Sequence, residues 1–475
     1  MCRIKWERLK TYILLVLMLT SLIQIGILWD YQNHGLPFNF LLGIFNSTGS
    51  VFMDSSETVR EEFFVPYRIT ASNGNEYHWI IGRDNSYHRE LWEEAKFYLK
   101  NALISGKAQQ SLPADGWGEL ITAKAFIFEF KSNINHQLLK WFMGLPEAQA
   151  AEAQGLHKMI ILPGEGLDED EVAVYILDNS GIRKYVFPFR EGGISYKEYQ
   201  NIIARLEKGK EWESKEYAVI KDLGLSEVLA INPDVLCVVR GSKFREYDSI
   251  RFDVPDRLSG SDEVADAVLG DERDSYDSYI DSQSIVFKNL DSIFRVYNDG
   301  FLEYRYIPGT EGDDKGDISS AFANSATFIS RVSKLLNTKA DIYLSRVEEK
   351  PDYYQFTFDY RIGDYPIYLD YAEGKDGEPV TSAAVIQANS KRIIKVRWIL
   401  KNFEFTGEKA SYNVNMENIM NDIIGDIAMD SNKPFVVDMG VSYVVKSDAD
   451  KSLEPVWYVD RNGDNKAVAL HKKGE

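Results

Sequence analysis

The stretch YYQFTFDYRIGDYPIYLD, residues 353–370, sets the architecture. Tyr354, Phe356, Phe358 and Tyr360 alternate with Gln355, Thr357 and Asp359, the period-2 pattern of a β-strand with one buried face. Gly363-Asp364 then supplies a reversal, and YPIYLD returns as a second strand. Downstream, VTSAAVIQA and KRIIKVRWILKNFEF predict another hairpin across Asn389-Ser390, with Ile394, Val396, Trp398 and Leu400 on one face and Lys395 and Arg397 on the other. VSYVV, VWYVD and KAVAL close the region. Upstream, IVFKN and IFRVYN lead into Asn298-Asp299-Gly300 and FLEYRYI (301–307), where Asp-Gly provides the positive φ of a tight turn. Two amphipathic helices accompany these strands, one marked by Phe322, Ala326, Ile329, Val332 and Leu336, the other by Met416, Ile419, Ile423 and Ile427. Antiparallel sheet with helices on one side is the predicted arrangement.

The same reading extends toward the N-terminus. EFFVPYRI (62–69) and EYHWIIG (76–82) form an expected hairpin around Ser72, Asn73 and Gly74. A helix follows, with Leu91, Trp92, Ala95, Leu99 and Ala102 at helical spacing behind the N-cap types Asn85 and Ser86. AFIFEF (125–130), KMIILPG (158–164), VAVYILD (172–178) and KYVFPF (184–189) read as strands, and Ser195 with Glu198 has capping-box spacing ahead of Tyr199, Ile202 and Leu206. Between 241 and 283 the chain turns rich in Ser, Gly and Asp, which suggests a connector with one short helix.

Residues 11–29, TYILLVLMLTSLIQIGILW, carry no charge. At ~1.5 Å of helical rise per residue they just cross a hydrocarbon core of ~30 Å. A cleaved signal peptide would have a shorter apolar core and a small-x-small site, whereas Trp29, Asp30 and Tyr31 follow here. One uncleaved transmembrane helix is therefore expected. Arg3, Lys5, Arg8 and Lys10 against Glu7 give the leading segment +3, which keeps it cytoplasmic and places the rest outside the cell. Trp6 and Tyr12 at one end and Trp29 and Tyr31 at the other suit the two interfacial belts. Thr20, Ser21 and Gln24 share one helical face, where a partner membrane helix would satisfy the amide; Gln24 reaching water at the outer interface is the alternative. LPFNFLLGIF (36–45) is too short to span and suits an interfacial or packed segment. The expected organisation is a cytoplasmic head (1–10), the anchor (11–29), a membrane-proximal segment (30–55), an α+β ectodomain (56–240), the acidic connector (241–283) and a C-terminal α+β domain (284–475).

Composition narrows the function classes. The chain has 475 residues, and 54 Lys and Arg against 73 Asp and Glu leave −19, so a nucleic-acid partner is excluded for want of clustered positive charge. With the head at +3, the remainder carries −22. Two cysteines and six scattered histidines build neither a disulfide framework nor a cysteine-rich metal module. No P-loop, nucleophile elbow or zinc-protease spacing occurs. Asp460-Arg461-Asn462-Gly463-Asp464 begins like a calcium loop, but Asn465 and His471 replace the required Gly and Glu, so a hairpin turn explains it better. Cys237, within NPDVLCVV, reads as a buried small hydrophobe. The acidic runs at Asp168–Glu171 and from Asp271 to Asp281 read as solvated loop faces, with divalent-cation binding at a cell surface as the alternative. No catalytic residue, cofactor site or metal site is selected.

A short basic head, one anchor, a large outer part without catalytic motifs and an aromatic C-terminal hairpin unit together resemble the YycH family of extracytoplasmic regulators. The resemblance rests on LLVLMLTSLIQIGILW, on YYQFTFDYRIGDYPIYLD followed by VIQANSKRIIKVRWIL (385–400), and on LEPVWYVD (453–460). In that family and its relative YycI, an aromatic strand, a Gly-Asp turn and a Pro-led strand recur, with a P-x-W segment near the terminus. The resemblance implies a non-enzymatic membrane protein that contacts a WalK-like sensor histidine kinase and a YycI-like membrane protein, tuning cell-wall metabolism in Gram-positive bacteria. It covers the anchor and about a third of the chain and leaves 60–280 unmatched. Two other classes stay open: an anchored enzyme acting on wall polymers through unrecognised carboxylates, and an envelope assembly scaffold.

Overall fold

The architecture comes from a computed structural model that describes residues 53–75, 77–146, 152–164, 170–208, 216–224, 231–238, 244–307, 314–371, 374–375, 377–414, 436–447, 452–461 and 465–473. Alternating apolar runs in the first half assemble a nine-stranded antiparallel sheet, in the spatial order Gln110–Leu112, Gly181–Pro188, Glu171–Asp178, Gly155–Pro163, Phe126–Asn135, Arg68–Ser72, His78–Ile80, Glu216–Val219 and Leu236–Val238. The helix Ser86–Ser105 begins where the Asn85 side chain accepts from the Tyr87 N–H and stops at Gly106, which takes φ +69°. It buries Leu91, Trp92, Ala95, Leu99 and Ala102, as the spacing predicts. The capping box is formed too: the Ser195 N–H donates to Glu198 Oε2 at 2.8 Å, and the Glu198 N–H returns to Ser195 Oγ at 3.4 Å.

The expected hairpin after residue 62 is present but starts later. Residues up to Phe63 belong to the helix Met53–Phe63, and the strand begins at Arg68, beyond Pro66. Phe63 and Phe64 are drawn into the core, Phe64 stacking on Phe142 at 4.7 Å. Local β-propensity loses to that burial.

The second half forms a larger sheet that is antiparallel except where Tyr365–Leu369 runs parallel to Asp438–Val445. Three of the turns read from sequence carry hairpins here: Phe301–Tyr306 returns on Ser292–Tyr297, Tyr365–Leu369 on Tyr354–Ile362, and Ile393–Ile399 on Ala384–Ala388. Ile318–Val332, capped by Asp317, lays Phe322, Ala326 and Ile329 onto this sheet. The helix expected around Met416–Ile427 lies outside the described residues. The stretch 241–283 holds the expected short helix, Ser261–Leu269, but also a ten-residue strand, Phe244–Asp253, paired with Asn402–Asn413. The fold is thus mixed α+β with mainly antiparallel sheets. Among the described residues no helix is long and apolar enough to cross a membrane. The anchor expected at 11–29 lies outside them.

One-sided burial of the Tyr354–Ile362 strand needs correction. Phe356 and Phe358 are fully buried beneath Phe322, as predicted, yet Thr357, Asp359 and Arg361 on the opposite face are also at most 8% exposed. The first half of the chain covers them. Tyr343, paired across from Asp359, meets the Tyr67 ring at 5.8 Å, and Ser132 Oγ accepts from the Val347 N–H at 3.0 Å.

Candidate functional site

Where the two halves meet, charges alternate in a chain. Lys158 pairs with Asp234 and with Glu129 (3.2 Å), Glu129 with Arg68 (2.5 Å), Arg68 with Asp438 (3.3 Å), and Lys131 with Asp438 (3.1 Å) and Asp460 (3.2 Å). Arg68, Glu129, Lys131 and Lys158 stand on central strands of the first sheet, whereas Asp438 and Asp460 come from the last strands of the chain. Burial would raise the Asp438 carboxyl, but Lys131 and Arg68 outweigh it and hold that group well below the usual carboxylate range. Burial opposes charge on Lys131 as well, and Asp438 overcomes it, raising that ammonium well above its ordinary value.

Beside this network lies a cavity of about 270 Å³. Ile69, Ile81, Leu206, Leu236, Val238 and Val441 make apolar wall, with Trp79, Tyr217, Tyr247, Tyr365 and Trp457 adding aromatic surface. Its basic and acidic lining is Arg68, Arg83, His88, Arg361 and Asp364. Arg68 is neutralised by Glu129 and Asp438, and Arg83 by Asp341 at 2.8 Å. Asp364 accepts the Arg83 N–H at 2.9 Å. Arg361 is 6% exposed, and none of the described residues gives its side chain an ion pair or hydrogen bond; its guanidinium lies 5.1 Å over the Tyr343 ring. Burial, with Arg83 nearby, lowers that guanidinium to about 10. Burial likewise lowers His88 to about 4, helped by Arg83 and Arg361, so the imidazole is neutral near pH 7.

Thr20, Ser21 and Gln24 lie outside the described residues. Cys237 is wholly buried on Leu236–Val238, and burial raises its thiol far from the reactive range. The segment with the calcium-like spacing separates Val456–Asp460 from Lys466–Ala469, which pair antiparallel, and Asp460 turns inward to Lys131. Among the described residues no cluster of three or more His, Cys, Asp or Glu is placed to hold a metal. Sequence reasoning did not single out the network or Arg361. The available signal for Arg361 was its place on the polar face of the Tyr354–Ile362 strand, but nothing local says that this face becomes buried.

No family model matches the chain, and no curated protein matches it. Among solved structures it is similar to YycH from Bacillus subtilis, 11% identical, with 86% of this chain and 96% of that chain covered at a TM-score of 0.55. It also overlaps an uncharacterized protein from Eubacterium rectale, 13% identical, covering 58% of this chain and 94% of that one at a TM-score of 0.33, too low to carry an argument. The fold is YycH-like.

Proposed function

We propose that this chain is a single-pass membrane protein, N-terminus cytoplasmic, whose extracytoplasmic part regulates a WalK-like sensor histidine kinase controlling cell-wall metabolism, and that it acts by contact and not by catalysis. The observation that supports this reading most is the YycH-like fold over 86% of the chain, in agreement with the resemblance carried by residues 14–29, 353–370, 385–400 and 453–460. A YycI-like membrane protein is the second proposed partner. Contact within the bilayer would run through the face of Thr20, Ser21 and Gln24, where interhelical hydrogen bonds contribute about 0.6–2 kcal/mol to association.

Replacing Ser21 and Gln24 together with Leu is expected to weaken co-purification with the kinase from membranes and to change expression of kinase-controlled wall genes. Unchanged co-purification together with unchanged expression would sink the helix-face mechanism. Hydrolysis of purified wall glycan by the full chain, abolished by one Asp or Glu substitution, would replace the regulatory reading with an enzymatic one.

A further inference from the structure

Arg361 poses a problem that the fold leaves open. A buried cation is costly unless a counter-charge or hydrogen-bond acceptors replace its lost water. Its neighbours are committed elsewhere. Asp341, directly across the strand pair, is bonded to Arg83, and Asp364 is bonded to the Arg83 N–H. Asp359, two residues along the same face, accepts the Ala383 N–H at 3.4 Å, and burial raises its carboxyl toward the neutral form. Arg361 is thus a nine-tenths buried guanidinium that has the Tyr343 ring beneath it but no ion pair or side-chain hydrogen bond among the described residues, on the wall of a cavity whose remaining lining is mostly apolar and aromatic.

We propose that the cavity between the two halves binds a small organic monoanion, a carboxylate on a compact apolar body, with Arg361 contacting the carboxylate and the apolar and aromatic walls holding the body. A planar guanidinium presents parallel N–H donors that match a carboxylate. The charge inventory favours a single negative charge. Arg68 and Arg83 are already neutralised, His88 is neutral, and Asp364 on the same lining repels a second charge, which disfavours a phosphate dianion. The volume, about 270 Å³, lies at the small end for organic ligands.

The test uses the full chain in lipid nanodiscs, with empty nanodiscs as blank. Benzoate is titrated calorimetrically beside benzylamine and inorganic phosphate. Saturable benzoate binding is expected, at least tenfold tighter than either comparison compound. Arg361→Gln is expected to weaken benzoate at least tenfold while leaving the melting midpoint of the unliganded protein unchanged or higher, since it removes an uncompensated charge; Arg361→Lys should retain part of the binding. A purely structural arginine would instead lower that midpoint and leave benzoate binding unaltered. Val441→Phe, which fills the cavity without touching the charge, should also abolish binding and carries the test if Arg361→Gln does not fold. Absence of saturable benzoate binding, tighter binding of phosphate, or full benzoate affinity in either the Arg361→Gln or the Val441→Phe protein would overturn the proposal.

Discussion

Asp438 holds two cations from the other half of the molecule, Arg68 and Lys131, and both it and they are largely shielded from solvent. Removing its charge leaves those cations partly uncompensated, and breaking a buried pair from one side costs about 3–5 kcal/mol. Asp438→Asn is therefore expected to destabilise the protein by about that amount in denaturant unfolding, and a loss under ~1 kcal/mol would show that the network contributes little. The pH dependence has two limbs. The folded Asp438 carboxyl lies below its unfolded value, so its contribution is present above about pH 4 and lost as pH falls below it. The folded Lys131 ammonium lies above its unfolded value, so its contribution is present below about pH 10 and lost as pH rises further. Asp438→Asn should flatten the acid limb. None of this was legible in the sequence, because Arg68, Lys131 and Asp438 each look like ordinary polar residues in alternating strands until partners some 300 positions away arrive.

Turns and caps are where element-level reading succeeded, since their chemistry is local. Gly300 takes φ +91°, and a Cβ there would lie 2.4 Å from the Leu400 carbonyl oxygen. Gly407 takes φ +80° with open space around it. Gly407→Ala should thus cost only the left-handed conformation, about 1–2 kcal/mol, whereas Gly300→Ala should cost measurably more because the backbone at Leu400 must also shift. Equal melting-point losses for the two would refute the steric argument. Element reading failed where the partner is remote. Phe244–Asp253, sequence FREYDSIRFD, is dominated by charged and polar residues, and only Arg245, Tyr247, Ser249 and Ile250 are buried in it. Its strand character comes from a ladder with Asn402–Asn413 that no local window contains.

At the scale of the whole molecule, apolar packing and the ion network bind the halves together. Phe63 lies 6.0 Å from Phe322 and 5.7 Å from Phe358, while Phe142 lies 5.2 Å from Phe322, so one aromatic cluster joins the helices Met53–Phe63, His136–Phe142 and Ile318–Val332 to the second sheet. The continuous core runs from Val59 to Leu400. Residues 126–135 and 354–362 cover each other's territory through Ala340–Glu349, which pairs with the latter and packs on the former. Neither strand can lose its cover without exposing buried ionisable side chains on the other side, Glu129 in one case and Asp359 and Arg361 in the other. Opening should consequently be a single event for both. Native-state hydrogen exchange on the full chain is expected to give the slowest amides of Phe126–Asn135 and Tyr354–Ile362 the same opening free energy, falling together as denaturant rises. If the 126–135 amides exchanged through a lower-energy opening that left 354–362 protected, the halves would be separable units, and the cavity between them would open and close without unfolding either.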